Sequence, residues 1–371
     1  MYNWQQKEWP SFKYSLDFVQ RDLLLFAEKI GRVSGAVEAL SEESNHNITI
    51  HFILEEAVKT SAIEGEFPNR KDVLSSIRKN LGIHESPEYI KDKSALGLGE
   101  LMIDNRKTFK EPLTKEKLFA WHSLLMENTG QIEVGKWRTH QDPMQVVSGS
   151  TNRRTIHFEA PPSNLVPLMM DEFINWFNQS APEGERPIFN PIERAAVAHL
   201  YFESIHPFED GNGRIGRVIA EKALSQTLGR PVLLSLSSTI EANKKQYYQA
   251  LEAAQRSNEI TEWMEYFVRT VLLAQEQAEK YVLFTVQVAR YFDKFGNQLN
   301  ERQNAVVRRM TEEGPDGFIG GMNARKYMAI AKTSKATATR DLQEMLDRGA
   351  FVLGNKAGRS TSYHLPFLQK A

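Results

Sequence analysis

Apolar residues return every three or four positions through most of this chain, and the elements they predict are helices. Near the N-terminus Leu16, Val19, Leu23, Leu24, Phe26 and Ala27 set this spacing, with little proline or glycine inside the runs. Residues 48–66 continue it as an apolar-faced helix that stops at Gly65. Thr114 ahead of Lys117-Leu118-Phe119 predicts a helix cap and the helix behind it. Apolar runs at 195–202 and 218–224 predict two helices with a polar loop between them. A helix through Trp263, Tyr266, Phe267 and Val268 closes this region, and an amphipathic stretch at about 270–292 leads on to the tail. One segment breaks the helical rhythm. Val146-Val147-Ser148-Gly149-Ser150 and Thr155-Ile156-His157-Phe158 read as two strands around a polar turn, Thr151-Asn152-Arg153-Arg154, with Pro161-Pro162 ending the second arm. The chain thus divides into a helical region at 1–105, a core at 106–275, and a linker helix with a separate tail at 276–371. There is no internal repeat and no low-complexity segment.

Composition narrows the class. At 371 residues the chain is long enough for two or three domains, and 41% hydrophobic with 25% charged residues is ordinary for globular proteins. Without cysteine it has no disulfide, no thiolate nucleophile and no Cys-ligated zinc. His122, His140 and His157 show no zinc-ligand spacing, so no transition-metal site is expected. The N-terminus lacks a basic segment followed by an apolar one, and no apolar run approaches membrane-spanning length. The expectation is a cytoplasmic protein with no membrane partner. The net charge of −1 excludes a generally basic nucleic-acid coat, but the charge is uneven. Residues 323–371 hold nine Lys/Arg against three Asp/Glu.

The chemistry concentrates in residues 206–217, His-Pro-Phe-Glu-Asp-Gly-Asn-Gly-Arg-Ile-Gly-Arg. A glycine-rich turn feeding a helix N-terminus aims several backbone N–H groups at one point, where the helix dipole adds positive potential. Arg214 and Arg217, three residues apart, lie on one face of the first turns and can reach the same anion. The carboxylate of Asp210 fits beside phosphates when a hard divalent cation lies between them. His206 is the one group in this segment able to take a proton near neutral pH. Together these parts describe a polyphosphate–metal site with a base beside it.

The pattern His-x-Phe-x-Asp-Gly-Asn-Gly-Arg-x-x-Arg resembles the Fic family, whose members mostly transfer AMP from ATP onto protein hydroxyls. His206, Phe208, Asp210, Gly211, Asn212, Gly213, Arg214 and Arg217 all match it. The resemblance implies a mainly α fold, a Fic-type helical bundle with a β-hairpin flap. His206 becomes the base for the target Ser, Thr or Tyr hydroxyl, and Asp210 the ligand of Mg²⁺. The 211–213 turn, Arg214, Ile215, Gly216 and Arg217 surround the phosphates, and Phe208 anchors the loop in the core. Val146, Val147, Ser148 and Gly149 fall where the flap would touch nucleotide or target. Tyr247, Tyr248 and Gln255 fall where the family borders its nucleotide pocket. Gly135-Lys136-Trp137-Arg138 braces the approach to the flap. Thr60-Ser61-Ala62-Ile63-Glu64-Gly65 is similar to the family's inhibitory motif, in which Glu64 would reach Arg217 in place of the γ-phosphate. Keeping both Gly213 and Arg217 favours AMP transfer from ATP. Removal of AMP, with Glu64 activating water, is an alternative.

The tail reads as a winged helix. A helix at 323–331, a turn at Lys332-Thr333-Ser334, a second helix at 336–346 and two short strands bracket a basic wing at 354–359. Thr337, Thr339 and Arg340 would then meet a major groove. This supplies the rival reading: a DNA-binding regulator, contacting DNA through residues 323–371, with the core as nucleotide sensor. The partners expected are ATP, a target protein, a second copy of the chain, and DNA.

Overall fold

The computed structural model describes residues 1–83, 91–126, 132–148, 155–354 and 361–368, and these fold as two compact units. The first comprises residues 1–30 and 49–276, the second residues 31–48 and 277–371. Gly149, the turn expected at 151–154 and the 355–360 part of the expected wing lie outside the described residues.

The elements follow from local sequence. α1 (Gln20–Glu38), α2 (Glu42–Ile63), α3 (Arg70–Leu81) and α4 (Lys93–Lys107) come first. Asn69 starts α3 by accepting from the N–H groups of Lys71 and Asp72, and Gly82 ends it at φ 75°, a left-handed conformation that glycine reaches without a Cβ clash. α5 (Lys115–Met126) begins behind Thr114, whose Oγ1 accepts from the Lys117 N–H as the sequence predicts. The hairpin β1 (Gln145–Ser148) and β2 (Thr155–Glu159) is antiparallel. Its register shifts between Val146 and Val147, which pair with Phe158 and Ile156, so His157 is the extra residue of a bulge. Then follow α6 (Val166–Gln179), α7 (Pro191–Ile205), α8 (Asn212–Leu228), α9 (Leu236–Ala242), α10 (Lys244–Ala254) and α11 (Thr261–Phe295). The sequence suggests a closing helix near 263–268 and a separate amphipathic stretch at 270–292. They are one element, because no proline or glycine interrupts residues 261–295.

α7 and α8 form the centre of the first unit, and α7 is buried at nearly every position from Ile192 to Ile205. A helix without a polar stripe belongs inside a bundle. Asn190 caps it through the Ile192 and Glu193 N–H groups, and Pro191 occupies the first helical position, where its missing N–H costs nothing. Residues 1–16, expected to be helical, instead run as extended chain and a 3-10 turn, consistent with Pro10 and with polar anchors that bind outward. The Asn3 side chain donates to Ser204, its N–H to the Gln255 carbonyl, and the Trp4 indole to the Glu159 carbonyl.

The second unit has its own core, including Tyr291, Val306, Met310, Tyr327, Leu342 and Phe351. It contains α12 (Glu301–Thr311), α13 (Ala324–Ala331), α14 (Lys335–Asp347) and the two-residue strands β3 (Val352–Leu353) and β4 (Tyr363–His364). Lys332, at φ 47°, turns the chain between α13 and α14, and Ser334 caps α14. Buried Asp341 accepts from Tyr327 Oη and Arg302 Nε, each at 2.9 Å. Among the described residues no helix is long and apolar enough to cross a membrane.

Candidate active site

The loop between α7 and α8 is held from three sides. Phe208 is fully buried and stacks on His122 with ring centroids 4.0 Å apart and planes within 4°. Burying that ring contributes roughly 2 kcal/mol. The Asn212 amide clasps Phe208, accepting from its N–H at 2.9 Å and donating to its carbonyl at 2.8 Å. His122 accepts from the Gly135 N–H through Nδ1 and so presents Nε2–H to the Asp210 carbonyl at 3.2 Å. From behind, buried Arg138 donates to the His206 carbonyl at 2.8 Å, to Pro161 at 2.6 Å and to Ser163 Oγ at 2.9 Å. One guanidinium thus ties the loop to the chain leaving β2.

His206 ends α7 with φ 51°, a left-handed conformation that costs a non-glycine residue roughly 1 kcal/mol. Such strain is kept where the side chain's position matters. The imidazole lines a cavity of about 670 Å³, together with Ile63, Glu64, Val146, Val147, His157, Phe158, Glu203, Gly213, Tyr247, Tyr248 and Gln255. Burial pushes its pKa down to about 4, helped by the Arg138 charge and opposed by the Glu203 main chain, Glu64 and Asp210. At neutral pH the ring is therefore uncharged and free to accept a proton. Nδ1 faces Glu203, whose Oε2 is 3.8 Å away, which leaves Nε2 as the nitrogen available to the cavity.

The two arginines of the motif point into buried space and meet carboxylates from the end of α2. Arg217 donates to Thr60 Oγ1 at 2.7 Å, to the Thr60 carbonyl at 2.9 Å and to Glu64 Oε1 at 2.7 Å. Burial alone would raise the Glu64 pKa, but the Arg217 charge and hydrogen bond carry it below the usual carboxylate value. Tyr248 Oη lies 3.4 Å from the other Glu64 oxygen. Arg214 Nη1 pairs with Glu66. Gly65, at φ 84°, makes the bend that turns both neighbouring carboxylates toward the arginines. Gly213 is required for a second reason: a Cβ there would sit 2.3 Å from Glu64 Oε1 and 3.1 Å from Arg217 Nη1. Among the described residues two of their donors lack an acceptor, Arg214 Nε and Arg217 Nη1. Buried guanidinium donors without partners are uncommon and suit an anionic ligand.

Of the residues singled out in the sequence, His206, Gly213, Glu64, Val146, Val147, Tyr247, Tyr248 and Gln255 share the cavity wall. Ser148 ends β1. Asp210 has a largely exposed carboxylate that accepts from the Gly211 N–H at 2.6 Å and lies 3.8 Å from Arg214 Nη2. Gly211 caps α8 at φ 80°. Ile215 is buried in the core, and Gly216 packs against Glu203. His199 is fully buried and hydrogen-bonds Tyr247 Oη at 2.9 Å. Sequence reasoning missed Glu203, Glu66, the contact of Thr60 with Arg217, and the His157–Glu252 hydrogen bond at 2.9 Å that fastens the bulge of β2 to α10. Thr60 opens the Glu64 motif, Glu66 directly follows it, and Glu203 sits one turn before His206. Their spacing was the available signal.

Comparison with known proteins agrees with this geometry. Residues 112–224 match the Fic/DOC family, and residues 2–83 match a domain of unknown function, DUF4172. The chain therefore contains a Fic/DOC domain. Similar curated proteins include protein adenylyltransferase Fic of Aedes aegypti, 24% identical over 238 residues, covering 61% of this chain and 43% of that protein. A probable protein adenylyltransferase of Aquifex aeolicus is 29% identical over 154 residues, 41% of each. Protein adenylyltransferase fic-1 of Caenorhabditis briggsae is 28% identical over 139 residues, 38% of this chain and 24% of that protein. The chain thus spans less than half the length of these relatives. Among solved structures, a Fic family protein from Desulfovibrio desulfuricans superposes with a TM-score of 0.54 at 18% identity, covering 98% of this chain and 99% of that one. A Fic domain containing signaling protein from Bacteroides thetaiotaomicron gives 0.55 at 19% identity, over 72% and 97%. These likenesses show the fold.

Proposed function

We propose that this Fic-domain chain transfers AMP from ATP to a hydroxyl group of a protein, itself included, and that Glu64 holds the reaction in check. The observation that carries the reading is a histidine kept neutral by burial, beside two buried arginines with donors that meet no acceptor among the described residues. The names of the curated relatives point the same way. A cavity of about 670 Å³ has the size of a nucleotide-scale ligand site. In the step, His206 Nε2 takes the hydroxyl proton as that oxygen bonds to the α-phosphorus, and the bond to the β-phosphate breaks to release pyrophosphate. The N–H groups at 211–213 and both arginines offset the charge on the phosphates. Gly213 lets the phosphate chain come close to the backbone.

Asp210 fits Mg²⁺ in one respect. It is a single carboxylate next to the phosphate-binding turn, and no cluster of three His, Asp or Glu exists among the described residues, so phosphate oxygens and water would complete the shell. When bound there, Mg²⁺ would neutralise charge on the leaving pyrophosphate. The hairpin supports docking of a target segment, since a two-stranded sheet offers unpaired edges for strand addition.

A second reading has its own observation. From 323 to 340 the chain carries Arg325, Lys326, Lys332, Lys335 and Arg340 and no acidic residue, on α13, its turn and the exposed start of α14. That winged-helix-like segment suits duplex DNA. Salt-dependent retention of the full chain on duplex DNA tests it, and charge reversal at Lys335 and Arg340 should abolish the retention.

The enzymatic reading is tested with ATP labelled at the α-phosphate, cell lysate, and the wild type beside Glu64→Gly and His206→Ala. Label on protein with Glu64→Gly and none with His206→Ala is the expected result. A folded Glu64→Gly protein that labels nothing, itself included, overturns it.

A further inference from the structure

Glu203 is a buried carboxyl with one oxygen that meets no hydrogen-bond donor among the described residues. It sits in the last turn of α7, three residues before His206, and is 4% exposed. Among the described residues its Oε1 has no hydrogen-bond partner, and its Oε2 lies 3.8 Å from His206 Nδ1, a nitrogen that also faces the Glu203 main chain. A carboxyl group buried without donors is costly, and a Gln, Met or Leu would fill the same space at less expense. The neighbouring helix is also shaped to receive it. A Cβ on Gly216 would lie 2.2 Å from Glu203 Oε1, so the glycine opens the space that this carboxyl occupies. A buried carboxyl seated in a cradle cut into α8, with one oxygen unpartnered and the other beside His206 Nδ1, points to a functional pair.

We propose that Glu203 is a positioning residue for His206, orienting its ring so that Nε2 serves the cavity and giving the imidazolium a carboxyl neighbour once His206 has taken a proton. This rests on the reading of His206 as the base. The hydroxyl proton goes to Nε2, which leaves a positive charge on the ring beside the Glu203 carboxyl, and that carboxyl balances it where Glu203 is ionised. Other groups also act on this carboxyl. Arg217 on α8 favours its anion, while Glu64 at the end of α2 opposes it. His199 on α7 and Tyr247 on α10 share the same buried region. Burial outweighs Arg217 and raises the Glu203 pKa to about 8, so the group is a neutral acid at pH 7 and becomes an anion above it. His206 should then become a better base as pH rises through that value.

The test uses ¹⁵N-histidine-labelled full-length protein, the His206 resonance being assigned by its loss in His206→Ala. The His206 ring nitrogens should show a titration step near pH 8 that Glu203→Gln removes. In the Glu64→Gly background, Glu203→Gln should leave the ATP Kd and KM unchanged and lower kcat about tenfold, within the range of general-base effects. Glu203→Asp, which keeps a carboxyl, should recover part of that loss. A wild-type His206 resonance with no step near pH 8 overturns the proposal. So does a Glu203→Gln protein whose kcat and pH profile match its parent. If Glu64→Gly transfers no AMP while the resonance shows the step, the proposed reaction fails and the pairing stands.

Discussion

Replacing Glu64 by glycine should activate this protein, against the usual direction of changes at a catalytic centre. The contact removed is one charge-assisted hydrogen bond, Glu64 Oε1 to Arg217 Nη2 at 2.7 Å, with the arginine 1% and the glutamate 28% exposed in their side chains. A bond of this type is worth about 1.5–3 kcal/mol. A ligand that needs Arg217 must displace it, so its loss should tighten ATP binding about ten- to a hundredfold. Stability should fall less than for a stranded buried charge, which costs about 3–5 kcal/mol, because Arg217 keeps both bonds to Thr60. A loss of about 1–2 kcal/mol would lower Tm by roughly 2–8 °C in a unit of this size. ATP at about a hundred times its Kd should then return about 2.7 kcal/mol by mass action, more than it gives the wild type. Calorimetry, thermal melts with and without ATP, and label transfer are the three assays. A folded Glu64→Gly protein that binds ATP no more tightly and transfers AMP no faster refutes the argument.

Four other outcomes are expected. His206→Ala should abolish transfer while leaving the ATP Kd within about threefold by calorimetry; an equal loss of binding would show a structural histidine. Asp210→Ala should remove both activity and its dependence on added Mg²⁺, and undiminished transfer would exclude Asp210 as the metal ligand. Glu66→Ala frees Arg214 from a carboxylate that is half exposed, so it should raise transfer only a few-fold, in keeping with the about 0.2–1 kcal/mol of a partly solvated pair. Stability should also depend on pH through His199 and His206, whose folded pKa values near 4 lie below the ordinary imidazole value. Their contribution is complete above about pH 6.5 and is lost as pH falls toward 4, which urea midpoints across that range would show.

Much of this was legible in the chain because the local physics decided it. The 206–217 segment carries its own turn glycines, its clasp through Asn212 and its two arginines, so spacing alone brought them together. The hairpin announced itself by β-branched residues between polar punctuation. Other parts depend on contacts between distant residues, to which periodicity is blind. Nothing in the N-terminal sequence says that Asn3 will reach Ser204, or that Glu66 will find Arg214 across 148 positions. The bulge at His157 arises from a register set by both strands and cannot be read from one of them. Glu203 was hidden by its type, since a charged residue in a helix is normally taken to face water.

The lacing of the first residues onto the rest has a consequence for the order in which the protein comes into being. Asn3 hydrogen-bonds Ser204, Gln255 and Asn258, and the wall of the cavity takes residues from Ile63 to Gln255. During synthesis the chain must therefore hold its N-terminal strap unplaced until about residue 258 has left the ribosome. Only then do strap, flap and α10 meet. A shorter piece, including one cut to the segment 112–224 that the family comparison marks, lacks Glu64, Tyr247, Tyr248 and Gln255. The proposed nucleotide site is thus a late product of translation, and a nascent or truncated chain should carry neither the proposed activity nor the brake on it.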